Sequence, residues 1–241
     1  ATGTSLKPVE KTIYNDARFV AELEGAGHHR IVAGTSLTWG RTTATGTGFD
    51  FDLVVSPAPI VPNLSDIPVG DNRSFNDRRT FFGLYANDQW SPISALTVSG
   101  GIRWDHTSET LHAQSQEVGT PAPDVADDSK TISAVSGGVS VMYRFLDNAP
   151  GAVNAVNLYA GYQSNFKPAA PNLTEAETAR ILDPERTNAF EIGIKTRWLD
   201  RTLSFDAHVF DMDFKNLVVA VPGPGGSPAL TNAGEERFKG L

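Results

Sequence analysis

The stretch Leu96–Asp105, "LTVSGGIRWD", alternates along its length. Leu96, Val98, Ile102 and Trp104 fall on one side, with Gly100 between them; Thr97, Ser99, Gly101, Arg103 and Asp105 fall on the other. A period of two is the mark of a β-strand with one apolar and one polar side. Which solvent each side meets decides the fold. In a sandwich the apolar side is the core, whereas in a membrane barrel it faces lipid and the polar side lines a lumen.

The pattern recurs in "RIVAGTSLTWG" (30–40), "TFFGLYANDQW" (80–90), "VSGGVSVMYRF" (135–145), "VNLYAGYQSNF" (156–166), "FEIGIKTRW" (190–198) and "LSFDAHVFD" (203–211). These strands run to about ten residues or more, longer than the five or six usual in soluble sheets. Short connections are predicted at Gly25–His28, Trp90–Ala95, Phe145–Asn154 and Trp198–Thr202, and long polar loops at Thr43–Asp77, Ser108–Lys130, Lys167–Pro184 and Val221–Pro228. Strict alternation of short and long connections puts all the short ones at one end, as in outer-membrane barrels.

Aromatic spacing is an independent test. Phe82 and Trp90 share a side eight residues apart, as do Phe190 and Trp198. Eight residues on a tilted strand rise about 20 Å along the membrane normal, close to the height of an apolar band between two aromatic girdles. Phe82, Trp104, Tyr162 and Phe190 are assigned to one girdle, and Trp90, Phe145 and Trp198, beside the short turns, to the other.

Composition narrows the classes further. No run of the 241 residues approaches the 18 or so apolar residues of a membrane helix, which a barrel does not need. A net charge of −8 argues against a nucleic-acid partner. The absence of cysteine excludes disulfides and thiolate metal sites within the chain. One helical signal stands out: Thr174 and Glu177 have capping-box spacing and Asp183-Pro184 is a stop, so a short helix fits within the loop after Lys167.

From Asn157 onward the sequence resembles the late barrel of TonB-dependent outer-membrane receptors. The resemblance is carried by Phe166-Lys167-Pro168, Pro184-Glu185, Glu191-Ile192-Gly193-Ile194-Lys195, the run Phe210 to Asn216, and Asn232-Ala233-Gly234. "LYANDQWSPISALTVSGGIRWD" resembles the family's Tyr-x-x-Asp-Gln hairpin, with Trp104 in the place of a Tyr. It implies an all-β, transmembrane antiparallel barrel, of which residues 1–241 supply about nine strands from a likely complement of 22. The family's plug domain and TonB-contact segment are not recognisable before Ala17, so the resemblance implies an internal piece of the barrel. It also implies an energised importer of a scarce substrate, foremost a ferric siderophore, in the outer membrane of a Gram-negative bacterium, partnered by the bilayer and, through the plug, by TonB. A passive porin and an outer-membrane barrel hydrolase are the alternatives; no Gly-x-Ser-x-Gly elbow supports the hydrolase.

Candidate sites follow from the lumen side. Arg103, Arg144, Lys195 and Arg197 are cations there, suited to a plug or an anionic ferric chelate, or else to pairing with lumen carboxylates such as Asp105 and Glu191. Arg103, Asn165 and Lys167 are the substrate-contact candidates, the last two at the step from strand to loop. No cofactor is implied. His28-His29, His106, His112 and His208 lack metal-ligand spacing, and "DVADDSK" (124–130) lacks the Gly and Glu of an EF-hand loop and reads as a solvated acidic loop. "TGTG" (45–48) reads as an extracellular loop rather than a phosphate cradle. On this reading a charge at Ile102 is costly, and replacing Arg103 by an apolar residue leaves insertion nearly unchanged.

Overall fold

The computed structural model describes residues 2–50, 69–168, 171–172, 179–222 and 228–241. These form β1 (Thr2–Gly25), β2 (Gly27–Asp50), β3 (Val69–Ile93), β4 (Leu96–Glu117), β5 (Asp124–Leu146), β6 (Val153–Lys167), β7 (Pro171–Asn172), β8 (Arg180–Ile181), β9 (Glu185–Trp198), β10 (Leu203–Pro222) and β11 (Pro228–Gly240). Nine of them make one antiparallel sheet in the order β1-β2-β3-β4-β5-β6-β9-β10-β11, and β7 pairs with β8 alone. The main sheet is a meander of successive neighbours, with β1 and β11 as open edges. The four short connections lie at one end: Ala26, Ser94–Ala95, 147–152 and 199–202.

Register fixes which residues share a face. Ile102 stands opposite Ala86 and Gly137, and Trp104 opposite Leu84 and Val135. Leu158 and Ile194 are opposite one another, as are Tyr162 and Phe190. All belong to the outer face. Arg103, Tyr85, Ser136 and Glu191 belong to the inner face, which lines a cavity of about 850 Å³. The outer apolar residues have no covering layer: Ile102 is 60 % and Phe205 60 % exposed.

The strands outrun the apolar band. On β4 the outer face changes after Trp104 to His106, Ser108, Thr110 and His112. On β3 it changes beyond Phe82 to Thr80, Arg78 and Asn76, and on β10 after Val209 to Asp211, Asp213 and Lys215. The inner face changes the other way, from polar to Phe75, Leu111 and Ala113, which are buried with Ala44, Ala179 and Ile181. The switch also steps in register. Phe82 is opposite His106, two residues beyond Trp104, and Phe190 is opposite Asp211, two beyond Val209. A boundary that steps in one direction lies flat only if the strands lean, which is the tilt of a barrel wall.

Several expected loops are therefore strand. Thr43–Asp50 belongs to β2, including Thr45–Gly48, and Val69–Asp77 to β3. Ser108–Glu117 and Asp124–Lys130 form the upper rungs of β4 and β5, leaving only 118–123 as the connection. These rungs are polar outside and only sparsely apolar inside, so their alternation is weak in the sequence. The proposed helix start at Thr174 and Glu177 lies outside the described residues; its far end, Arg180–Ile181, is β-strand paired with Pro171–Asn172.

Candidate functional site

The inner face at the level of the apolar band is a polar wall built from alternate residues of the strands. Tyr85, Asn87 and Gln89 come from β3, Ser99 and Arg103 from β4, Ser136 and Ser140 from β5, Tyr159, Gln163 and Asn165 from β6, and Glu191 from β9. Large side chains lie along the wall across a glycine of the next strand. Tyr85 lies over Gly34 and reaches Asp16 on β1, donating at 3.2 Å. Arg103 lies over Gly83 in the same way. A Cβ at Gly34 would sit 2.5 Å from the Tyr85 hydroxyl, so the site requires the missing side chain. The effect is a lined but open lumen.

Arg103 is bound into this wall. Its guanidinium meets the buried Asp105 carboxylate at 2.7 Å, donates to Ser36 Oγ at 2.7 Å, and lies 5.4 Å and 5.6 Å from the rings of Phe81 and Tyr85. Pairing with Asp105 is the wall-building alternative expected for it. An apolar replacement would leave Asp105 buried without its cation, which changes the expectation that Arg103 is dispensable for folding. Lys195 pairs with Asp206 at 3.3 Å and lies over the Tyr159 ring, and Arg144 is 3.9 Å from Asp147.

Above the band the inner face carries charge and then an apolar cluster. Arg79 binds Glu109 through two N–H donors at 2.7 Å and 3.0 Å. Asp77, five residues beyond Phe82 and so outside the apolar band, is buried beside this pair. Burial, then the Glu109 charge, push its carboxyl up to about 7. Next come Phe75, Leu111 and Ala113, against which Ala179 and Ile181 pack. The segment 179–184 thus turns inward across the mouth of the lumen.

Two sets of hydrogen bonds hold that segment. On the β5 side Asp128 accepts the Ile181 N–H at 2.7 Å, and Lys130 Nζ donates to the carbonyls of Ile181 and Leu182 and to Asp183 at 2.6 Å. On the β10–β11 side the Asn232 amide receives the Asp183 N–H at 2.8 Å and donates to the carbonyls of Asp183 and Asn216. Asn216, left-handed at φ 57°, donates to the Pro184 carbonyl. Glu185 accepts from the Val218 N–H at 2.9 Å and from Lys167 at 2.8 Å. Burial raises the Glu185 carboxyl, but Lys167 and the Val218 N–H outweigh it and hold the group below its ordinary range.

The residues that carried the resemblance therefore meet in space: Lys167, Pro184, Glu185, Asn216 and Asn232 form one latch. Sequence reasoning missed the other half of it. Asp128 and Lys130 fall in the stretch that read as a solvated acidic loop, and nothing in the spacing of "DVADDSK" marks them as facing inward until the register is known. Asn165 lines the cavity and accepts from Gln163 at 3.3 Å, so of the three substrate-contact candidates Asn165 and Arg103 share the cavity, and Lys167 belongs to the latch above it.

The aromatic candidates lie on the outer face in two rows. Phe82 and Trp104 meet edge to face at 6.1 Å, and the Tyr162 hydroxyl donates to Asn188 at 3.1 Å. Phe190 stands beside Tyr162. Trp90 stacks on His29 and donates its indole N–H to the Ala26 carbonyl, Trp198 donates to Thr196, and Phe145 sits at a bulge, 68 % exposed. His29 faces Asp88, His28 faces Glu24 and His112 faces Asp127; among the described residues no three His, Asp or Glu side chains converge as a metal set.

This geometry has close counterparts. The sequence model of the TonB dependent receptor-like, beta-barrel family matches residues 4–241. The fold is similar to the ferric yersiniabactin uptake receptor FyuA from Yersinia pestis, with a TM-score of 0.71 and 15 % identity over 97 % of this chain and 32 % of that one. It is also similar to the siderophore receptor PiuA from Acinetobacter baumannii (TM-score 0.63, 17 % identity, 96 % and 35 % covered). A third is the ferric-catecholate import receptor Fiu from E. coli K12 in its closed form (0.62, 18 %, 95 % and 34 %). The chain spans about a third of each of these structures. Its neighbours are transport receptors rather than enzymes, and the chain itself belongs to the TonB-dependent receptor-like β-barrel family.

Proposed function

We propose that residues 1–241 are part of the barrel wall of an outer-membrane receptor that imports a ferric chelate, foremost a ferric siderophore, with energy delivered through TonB by a plug elsewhere in the full-length protein. The observation that carries this reading is the pairing of an uncovered apolar outer face with a polar, glycine-relieved inner face around the cavity. The apolar side suits lipid between two rows of aromatic residues, with Phe82, Trp104, Tyr162 and Phe190 above and Trp90, Phe145 and Trp198 below. The polar side offers Asn165 and neighbouring amides and hydroxyls to a ligand, while Lys167 and the latch hold the wall of the entrance.

The test uses the full-length receptor in a Gram-negative host lacking its own siderophore receptors. Uptake of ⁵⁵Fe carried by a panel of purified siderophores is measured with and without a protonophore. Saturable uptake of at least one chelate, abolished by the protonophore, is expected. Free, non-saturable permeation of small sugars through the purified protein in liposomes would mark a passive porin instead.

A further inference from the structure

Two cross-strand rungs on the inner face carry charges that the import reading does not use. One rung runs Arg79, Glu109, Lys130 across β3, β4 and β5, and the next runs Asp77, Leu111, Asp128. Asp128 and Lys130 hold the inward-turned segment 179–184, and Leu111 is buried in the same cluster as Ile181. The strap across the mouth therefore lies on the same two rungs as Asp77 and Glu109.

The charges on these rungs do not balance. Glu109, 2 % exposed, takes two N–H donors from Arg79. Lys130 donates to the Ile181 and Leu182 carbonyls and to Asp183, and Asp128 accepts the Ile181 N–H. Asp77, 7 % exposed, comes close enough to Glu109 for one carboxyl to donate to the other. Among the described residues no donor reaches its Oδ1. On the β2 side Asp77 faces the uncharged Thr42, and beyond it stands Glu10 of β1, a further negative charge. Farther along β3, Arg73 binds Asp71. A buried carboxylate without a matching cation is costly, and a proton removes the cost. Burial, then the Glu109 charge, accordingly place the Asp77 carboxyl at about 7.

We propose that Asp77 and Glu109 share one proton, and that its loss releases the strap 179–184 from β5. The step is a simple ionisation. The Asp77 carboxyl gives its proton to water, leaving two negative charges against the guanidinium of Arg79. Lys130 stands directly opposite Glu109 on the same face. Drawn to the second charge, its ammonium leaves the Ile181 and Leu182 carbonyls, while Asn232 and Asn216 still hold the strap on the β10–β11 side. A carboxyl raised above its unfolded value binds its proton when folded, so the stability it confers is lost as pH rises through the folded value. Closure is favoured at mildly acidic pH and lost through about pH 7. As regulation of the entrance, the switch rests on the import reading above.

The experiment is hydrogen–deuterium exchange of the full-length receptor in lipid nanodiscs, at about pH 6 and about pH 8, corrected for intrinsic exchange. Protection of the Ile181–Asp183 amides is expected to fall about tenfold between the two, as the protonated fraction of a group titrating near 7 does. D77N, which keeps a donor for Glu109 and cannot ionise, is expected to hold the acid-level protection at both pH values. K130M is expected to show the weakly protected level at both. N232A, on the far side of the strap, is expected to lower protection by the same factor at both and to leave the pH dependence intact. Infrared difference spectra of the wild type between the same pH values should show one protonated-carboxyl band lost at the higher pH; this reading stands if D77N does not fold. Protection independent of pH in the wild type, pH dependence retained in D77N, or no carboxyl band lost would overturn the switch. Uptake of ⁵⁵Fe-siderophore is measured alongside; none at either pH, with exchange titrating as expected, would overturn the import reading and leave the switch standing.

Discussion

The lower and upper halves of the same hairpins are built inside out with respect to each other. Between the aromatic rows, Ile102, Leu84, Val139 and Ile192 face outward without cover, and Arg103, Ser99 and Glu191 face inward. A few rungs higher on the same strands, Arg78, His112 and Asp211 face outward, and Phe75, Leu111 and Ala113 are buried inside. The backbone is continuous through the change, so the switch reports a change of surroundings. On the proposed reading, the outer surroundings below are oil and the lumen is wet; above, the outside is wet and the interior is a small conventional core. The two halves therefore predict opposite responses to the same kind of substitution.

The largest contrast is on the inner face. Phe75→Ala removes the one large side chain in a cross-strand row of alanines, Ala44 and Ala113 being its direct partners, and should cost about 3–5 kcal/mol. Ser99→Ala, on the inner face of the lower half, should change stability by no more than about 0.5 kcal/mol. Urea unfolding of the full-length receptor in micelles, with limited proteolysis of the upper hairpins, measures both. Equal effects would remove the distinction between halves.

The outer face should show the converse. Ile102→Arg puts a charge in the apolar band and should cost about 2–4 kcal/mol, less if the side chain reaches the interface. His112→Arg, on the same face of the same strand above the band, should be within about 0.5 kcal/mol of wild type. Folding into lipid vesicles of increasing denaturant content separates them. If His112→Arg were the costlier change, the band would have been placed at the wrong height.

The lower half was legible in the sequence because its two solvents differ most. Ile102 beside Arg103 and Phe190 beside Glu191 give full-amplitude alternation, and the aromatic residues mark its ends. The upper half was not, because its outer residues are polar and half of its small inner core is alanine, so Thr43–Asp50 and Ser108–Glu117 looked like loop. The latch was half legible. Pro184, Glu185, Asn216 and Asn232 stood out through the family resemblance, but the reason for them is a set of hydrogen bonds between segments far apart in sequence. Lys130 and Asp128, their counterparts on β5, become visible only once Ser108–Lys130 is folded into paired strands.

Arg103 sharpens the comparison within the lower half. Its neighbour Asp105 is buried, so Arg103→Ile should cost about 2–3 kcal/mol, discounted from a fully buried pair because the guanidinium is about a third exposed. The double change Arg103→Ile with Asp105→Leu should recover most of that loss, since it removes the stranded charge along with its partner. The same vesicle-folding assay reads both. A single change as harmless as Ser99→Ala would mean that the polar wall is wet enough for Asp105 to stand alone.

The smallest effect tests how the upper half is closed. Glu185 is 5 % exposed and its two carboxylate oxygens hold Val218 and Lys167. A carboxyl held below its unfolded value binds fewer protons when folded than when unfolded. Its contribution is therefore complete above the unfolded value and is lost as pH falls through the folded one. Glu185→Gln keeps an acceptor for the Val218 N–H but loses the charge, and should cost about 1–2 kcal/mol at neutral pH. That cost should hold until pH reaches the ordinary carboxylate range and shrink as pH falls below it, because protonation then removes the same charge from the wild-type protein. Lys167→Met should reproduce both the cost and its disappearance in acid, whereas Asn232→Ala, which breaks the latch through uncharged groups, should give a loss that is flat across the range. Melting midpoints of the upper hairpins, followed by proteolysis at each pH, supply the measurement. A Glu185→Gln penalty that stayed constant into acid would assign the latch to the amides alone and leave the ion pair to Lys167 without weight.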